Sequence, residues 1–125
     1  MKHFALVDIS KSGLETTAKQ LQAKNQEIRV IQIQADITKE DTVVEAIQQA
    51  AREFERIDYA INCAGITGTL ALTEDMEFNA WQQVIGVNLT GVWICQREEI
   101  RQMLKQEPLQ PGPRYNRGVI VNLVR

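Results

Sequence analysis

Four short apolar runs, the first three of them each followed by a helical pattern with one apolar stripe, constrain what this chain can fold into more than any other feature. Phe4 to Ile9 reads Phe-Ala-Leu-Val-Asp-Ile. That nearly continuous apolar run halts at Ser10-Lys11-Ser12-Gly13, as a parallel-sheet strand buried on both faces would. In the pattern that follows, Leu14, Ala18 and Leu21 fall at i, i+4 and i+7, and Ser10 or Ser12 is placed to cap the helix. Ile28 to Gln34 alternates into a second strand. Thr38-x-x-Asp41 is a helix-start signal, and Val43, Ile47, Ala50 and Phe54 form the stripe of the helix it opens. Asp58 to Asn62 reads as a third strand. A long helical pattern from Asn79 to Gln106 runs through Trp81, Val84, Ile85, Asn88, Val92, Cys95 and Met103, until Pro108 to Pro113 and Arg114 break it. Gly118 to Val124 is a fourth strand. Strand and helix in strict alternation specify an α/β fold with a parallel sheet and right-handed crossovers.

Composition narrows the partners. With 125 residues the chain is one domain at most, 1–125. The 14 basic and 16 acidic residues leave a net charge of -2 and are scattered along the chain, so neither nucleic acid nor anionic lipid is an expected partner. No stretch approaches the run of about 18 apolar residues a membrane helix needs, and Met1-Lys2-His3 leads straight into the first strand pattern, so a cytoplasmic protein without a leader is expected. Asn88-Leu89-Thr90 spells a glycosylation sequon, but inside a helical pattern it is not expected to carry a glycan. Cys63 and Cys95 stand apart, with a single His in the chain; no metal site is expected, and two buried thiols in a reducing compartment is the simpler reading.

An acid at the tip of the first strand, an Asp after the second, Asn-Cys-Ala-Gly after the third and Val-Asn-Leu-Thr-Gly in the long helix occur in order and at characteristic separations. Together they resemble the middle of a short-chain dehydrogenase/reductase, over essentially the whole chain. The resemblance implies an incomplete Rossmann-like, doubly wound parallel sheet of about four strands with flanking helices, forming part of an NAD(P)-binding domain. It also implies roles for particular residues. Asp8 would accept hydrogen bonds from the adenosine ribose hydroxyls and repel a 2′-phosphate, which favours NAD over NADP; Ile9, not Arg, follows it. The alternative, Asp8 as a mere turn residue, is the weaker reading beside the family match. Asp36 would meet the adenine amino group with Ile37 packed near the ring, though Asp36 also suits a helix start. Asn62-Cys63-Ala64-Gly65 is similar to the family's Asn-Asn-Ala-Gly signature, whose small residues admit the cofactor; a tight strand-end turn would call for the same Gly. Cys63 is not expected to be a nucleophile, because no paired His is in evidence. Asn88 matches the family's active-site Asn, the single candidate catalytic residue here; the alternative is a purely structural Asn that kinks the helix. Gly86 and Gly91 cost roughly 1 kcal/mol each against Ala within a helix, so close packing or cofactor approach is expected to compensate.

Other parts of the family pattern are absent from the sequence. Only seven residues precede Asp8, and no Gly-rich phosphate loop of the Gly-x-x-x-Gly-x-Gly or Gly-x-Gly-x-x-Gly kind occurs. Alignment of Val-Asn-Leu-Val-Arg on the family's fourth-strand ending puts Arg125 where a catalytic Ser would stand. Tyr59 and Tyr115 are followed four residues on by Cys63 and Val119, so neither begins the family's Tyr-x-x-x-Lys. A chain truncated at both ends is therefore expected. In the strand order 3-2-1-4-5-6 the missing first strand lies between those bearing Asp8 and Asn62, which must pair anew or leave open edges, so marginal stability is expected.

Three functions compete at this point. The first is an NAD(P)-dependent oxidoreductase moving hydride between nicotinamide and an alcohol or ketone, of which this chain carries the adenosine-side contacts. The second is a catalytically inactive nucleotide-binding or subunit-interaction remnant. A phospho-acceptor module using Asp8 and Asp36 ranks last, because it leaves Asn62 to Gly65 unexplained. The substrate cannot be read from these residues, and a homo-oligomer is left open.

Overall fold

A computed structural model of the chain describes residues 2–109 and 116–123. The order of elements follows the sequence patterns: strand β1 His3–Asp8, helix α1 Lys11–Lys24, strand β2 Arg29–Gln34, helix α2 Glu40–Phe54, strand β3 Tyr59–Asn62, helix α3 Phe78–Ile85, helix α4 Val92–Leu104 and strand β4 Val119–Asn122. Val124, Arg125, Pro111, Pro113, Arg114 and Tyr115 lie outside the described residues.

The four strands form two parallel pairs and not one sheet: β1 with β2, and β3 with β4. The pairs are in register from His3 with Arg29 to Asp8 with Gln34, and from Tyr59 with Val119 to Asn62 with Asn122. These are the pairings that an order of 3-2 and 4-5 requires, and among the described residues no strand joins β1 to β3. The expectation of β1 as a strand buried on both faces is corrected for the same reason. Phe4 and Leu6 are half-buried while His3, Ala5, Val7 and Asp8 are exposed, because the strand is paired along one edge only.

Helices cover the sheets unevenly. Leu14 and Ala18 of α1 are buried, and Ala46 and Ala50 of α2 close over Ile33 and Ala35 with Ile31 and Ile57 at the margin. Phe54, at the end of α2, stacks on His3 with ring centroids 4.9 Å apart, under the Arg29 guanidinium. On the β3–β4 pair, Ala60 is buried, whereas Tyr59, Ile61, Val119 and Val121, which share the opposite face by register, are exposed. A doubly wound sheet covers both faces; here one face of this pair has no covering element among the described residues.

Two local expectations are also corrected. Lys39, not Thr38, is the N-cap of α2, because Thr38 is engaged by the Asp36 carboxylate, its hydroxyl 2.7 Å from Oδ1. The single long helix is three segments: between α3 and α4 the backbone opens into a π-helical turn, Gly86–Gly91. Such turns widen a helix by one residue per turn and concentrate at functional sites. Just past the end of α4, Gln106 fixes the amino ends of β3 and β4: its side-chain amide accepts from Ile57 N–H at 2.7 Å and donates to the carbonyls of Ile57 and Arg117 at 3.0 and 2.9 Å.

Candidate functional site

Apart from Asn88, the sequence-derived site residues sit at the carboxyl ends of β1, β2 and β3. Asp8 closes β1. Its Oδ1 accepts the Ser10 N–H at 2.8 Å, and Ser10 Oγ accepts the Gly13 N–H at 3.1 Å to cap α1. Both readings of Asp8 thus coexist: one oxygen shapes the turn, and the carboxylate remains exposed. The end of β2 is held beside it, with Ala35 N–H donating to the Asp8 carbonyl at 3.1 Å and the Gln34 side chain donating to the Ile9 carbonyl at 3.0 Å.

Asp36 is built the same way. Its Oδ1 accepts both the Thr38 N–H, at 3.0 Å, and the Thr38 hydroxyl, and these two bonds hold the carboxyl below its ordinary value of 3.8. Ile37 lies under the π-helical turn. A Cβ placed on Gly91 would stand 2.9 Å from Ile37 Cδ1 and Cγ1 and 3.0 Å from the Ile37 carbonyl oxygen. The absent side chain of Gly91 is what lets the helix reach this loop.

The same turn grips the third strand-end loop. Asn88, at its centre, accepts the Ile66 N–H at 2.9 Å and donates to the Ile66 carbonyl at 2.8 Å. Its side-chain oxygen and nitrogen both serve the residue next to Gly65. Six residues of π turn therefore tie the loop bearing Asp36 and Ile37 to the loop bearing Asn62, Cys63, Ala64 and Gly65.

Asn62 turns inward. Its Nδ2 donates to Glu99 Oε2 at 3.0 Å and to Asn122 Oδ1 at 2.9 Å, and Asn122 Nδ2 donates to Gln96 Oε1 at 2.8 Å. Both amide protons of Asn62 are thus committed within the protein. Glu99 is only 5% exposed, and burial pushes its carboxyl above the ordinary value of 4.5, partly offset by the Asn62 bond. Sequence reasoning missed Glu99 and Asn122. The signal for Glu99 was available: it falls four residues after Cys95 and four before Met103, a charge inside the apolar stripe.

The two cysteines differ, against the expectation of two buried thiols. Cys63 is exposed because β3 ends at Asn62, while Cys95 is half-buried. Burial, and secondarily the Glu99 charge, pushes the Cys95 thiol up to about 11. At neutral pH a thiol-specific reagent is expected to modify Cys63 first and Cys95 on the order of a hundredfold more slowly. Timed mass spectrometry of the labelled chain checks this; equal rates would contradict the burial of Cys95.

Parallel strands with acids and small residues gathered at their carboxyl ends define an α/β protein of the Rossmann-like class. Comparison with known proteins makes this specific. Residues 1–124 match the family model for short chain dehydrogenase. Among curated relatives, the short-chain dehydrogenase fogB of Aspergillus ruber is 37% identical over 95% of this chain and 46% of its own length. The 3-oxoacyl-[acyl-carrier-protein] reductase FabG of Staphylococcus epidermidis is 34% identical over 91% of this chain and 42% of its own. The crystal structure of NAD+-bound xylitol dehydrogenase superposes with a TM-score of 0.84 at 28% identity, covering 96% of this chain and 42% of that one. The chain belongs to the short-chain dehydrogenase family. It spans less than half the length of these relatives. Among the described residues no helix is long and apolar enough to cross a membrane.

Proposed function

We propose that residues 1–125 form part of an NAD(P)-binding Rossmann domain and carry the adenosine-side half of its dinucleotide site, in a cytoplasmic oxidoreductase that moves hydride between the cofactor and a small alcohol or ketone. The observation that carries this reading is the convergence of two strand-end loops on one π-helical turn, through Gly91 on Ile37 and Asn88 on Ile66, with the Asp8 end of β1 bonded to the first of them through Ala35. The residues fit an adenosine. Asp8 keeps a carboxylate oxygen uncommitted for the ribose hydroxyls, and no ion pair neutralises it among the described residues. Asp36, held ionised by Thr38, can accept from the adenine amino group beside Ile37. Cys63, Ala64 and Gly65 offer small side chains where the cofactor passes. Asn62 supports that passage from beneath through its inward bonds. When bound, NAD would supply the hydride-carrying nicotinamide. Asn88 is proposed as the one member of the catalytic region in this chain, acting by fixing the loop after β3.

NAD is the preferred cofactor in this proposal, because a free carboxylate at Asp8 repels a 2′-phosphate. Titration calorimetry of the folded chain with NADH and NADPH is expected to show tighter binding of NADH. Asp8→Ala is expected to erase roughly ten- to a hundredfold of that preference, the size of a charge-assisted hydrogen bond. A folded chain that binds neither nucleotide, or an Asp8→Ala variant with unchanged preference, would sink the reading.

A second reading, a catalytically inactive subunit-interaction remnant, is favoured by one observation. Leu89, Trp93, Ile100 and Leu104 are exposed large hydrophobics at near-helical spacing along the π turn and α4. Such a stripe supports a homo-oligomer, and sedimentation of the purified chain discriminates it from a monomer.

A further inference from the structure

Glu99 stands out among the charged side chains of the described residues. It is nine-tenths buried and makes no ion pair there. Its neighbour Glu98, by contrast, is bonded by both Arg97 and Arg101, at 2.8 and 2.7 Å. Burying a carboxylate without a cation is costly unless hydrogen bonds take its place. Among the described residues the one side-chain donor to Glu99 is Asn62, the last residue of β3 and the first of the Asn-Cys-Ala-Gly turn.

We propose that Glu99 is a positioning residue for the strand-end loop Cys63-Ala64-Gly65: its carboxylate anchors Asn62, and the chain Glu99, Asn62, Asn122, Gln96 locks the carboxyl ends of β3 and β4 to α4. The geometry is that of a clamp closed from both sides. α4 supplies the acceptors Glu99 and Gln96, one turn apart, and the strands supply two asparagines that face each other in register. Asn62 uses both of its amide protons, so the Asn62 side chain cannot turn toward solvent without breaking two bonds. The backbone leaving Asn62 enters the loop directly, with no intervening residue to absorb a displacement.

The clamp has a protonation state. The groups that face Glu99 are Asn62 from β3 and Cys95 from its own helix, whose thiol feels the Glu99 charge; no basic side chain reaches it among the described residues. Burial raises the folded-state value above 4.5, so the folded chain holds this proton more tightly than the unfolded chain does. Between the two values the folded state gains relative stability as pH falls, and that gain is lost as pH rises through the folded value. Ionisation therefore strengthens the bond from Asn62 while it costs burial, and the loop should report the change.

This inference rests on the proposed adenosine site only for its purpose; the clamp can be tested without nucleotide. Nuclear magnetic resonance of the full chain over pH 4–8 would follow the backbone amides of Cys63, Ala64 and Gly65 and the side-chain amide of Asn62. In the unmodified chain these resonances should move together with one midpoint above 4.5, and in Glu99→Gln, which keeps an acceptor but cannot ionise, that transition should vanish while the Leu123 amide, which donates to the Asn62 carbonyl at 2.8 Å, stays protected from hydrogen exchange. In Glu99→Met, similar in volume but without an acceptor, exchange of the Leu123 amide should quicken at least about tenfold. Flat resonances in the unmodified chain would overturn the proposal whether or not either variant folds. So would a transition that persists in Glu99→Gln, or protection in Glu99→Met equal to the unmodified chain. A subsequent NADH titration separates the two ideas: a responsive loop without binding leaves the clamp standing and sinks the adenosine reading, while binding with an unresponsive loop does the reverse.

Discussion

Gly91→Val is expected to destabilise the chain by about 3 kcal/mol, among the largest effects of any single substitution in the helical segment. Even a single Cβ at this position meets Ile37 side-chain carbons at 2.9 Å and the Ile37 carbonyl oxygen at 3.0 Å. A branched side chain adds two more carbons with nowhere to go. The side-chain end of Ile37 could rotate aside, but the carbonyl belongs to the backbone of the Asp36-Ile37 loop and moves only with that loop. Gly86→Ala is the matched control. Its Cβ would lie 3.9 Å from Thr38 Cγ2, an ordinary contact, so the substitution should be neutral or stabilise by up to about 1 kcal/mol through helix propensity. Urea unfolding of the two variants decides the matter. Equal stabilities would mean that the close approach of the π turn to Ile37 does not exist.

Asn88→Ala should cost about 2 kcal/mol, and lower the melting temperature by roughly 5–10 °C for a chain of this size. The substitution removes both partners of the half-buried Ile66 peptide groups, 2.8 and 2.9 Å away. A part-buried N–H and C=O left unpaired carry much of their desolvation penalty, which exceeds the small gain of Ala in a helix. Asn88→Asp keeps the acceptor for Ile66 N–H and loses the donor to its carbonyl, so it should fall between the two. The Ile66 amide should exchange faster in Asn88→Ala and stay protected in Asn88→Asp. Unchanged protection at Ile66 in Asn88→Ala would show that another group satisfies this loop.

The alternation of elements was legible because periodicity reports burial directly: each strand and helix stands within a few residues of its pattern, from β1 at Phe4 to β4 at Val119. Pairing was legible only through the family's strand order. Apolar runs alone do not say which edges meet, and among the described residues β1 and β3 each have one partner. The π turn was not legible. Gly86 and Gly91 lie five residues apart in a helical pattern, but nothing in composition separates a π turn from a straight helix with two costly glycines. Thr38 misled because a Thr-x-x-acid signal assumes that the Thr hydroxyl is free, and here Asp36 takes it. The strand-end candidates do lie at or just after the ends of β1, β2 and β3, yet their hydrogen-bond partners were not foreseen. Asn62 looked like a ligand-facing residue, and its inward commitment to Glu99 and Asn122 depends on a helix more than thirty residues away.

The most direct measurement is chemical-shift mapping of the isotopically labelled chain titrated with NADH. The adenosine half-site requires the largest perturbations at the amides of Asp8, Ile9, Asp36, Ile37, Cys63 and Gly65, saturating with a single affinity. Perturbations centred elsewhere in a folded chain, such as the groove along Gln32, Gln34 and Gln49 beside β2, or none at saturating nucleotide, would contradict it.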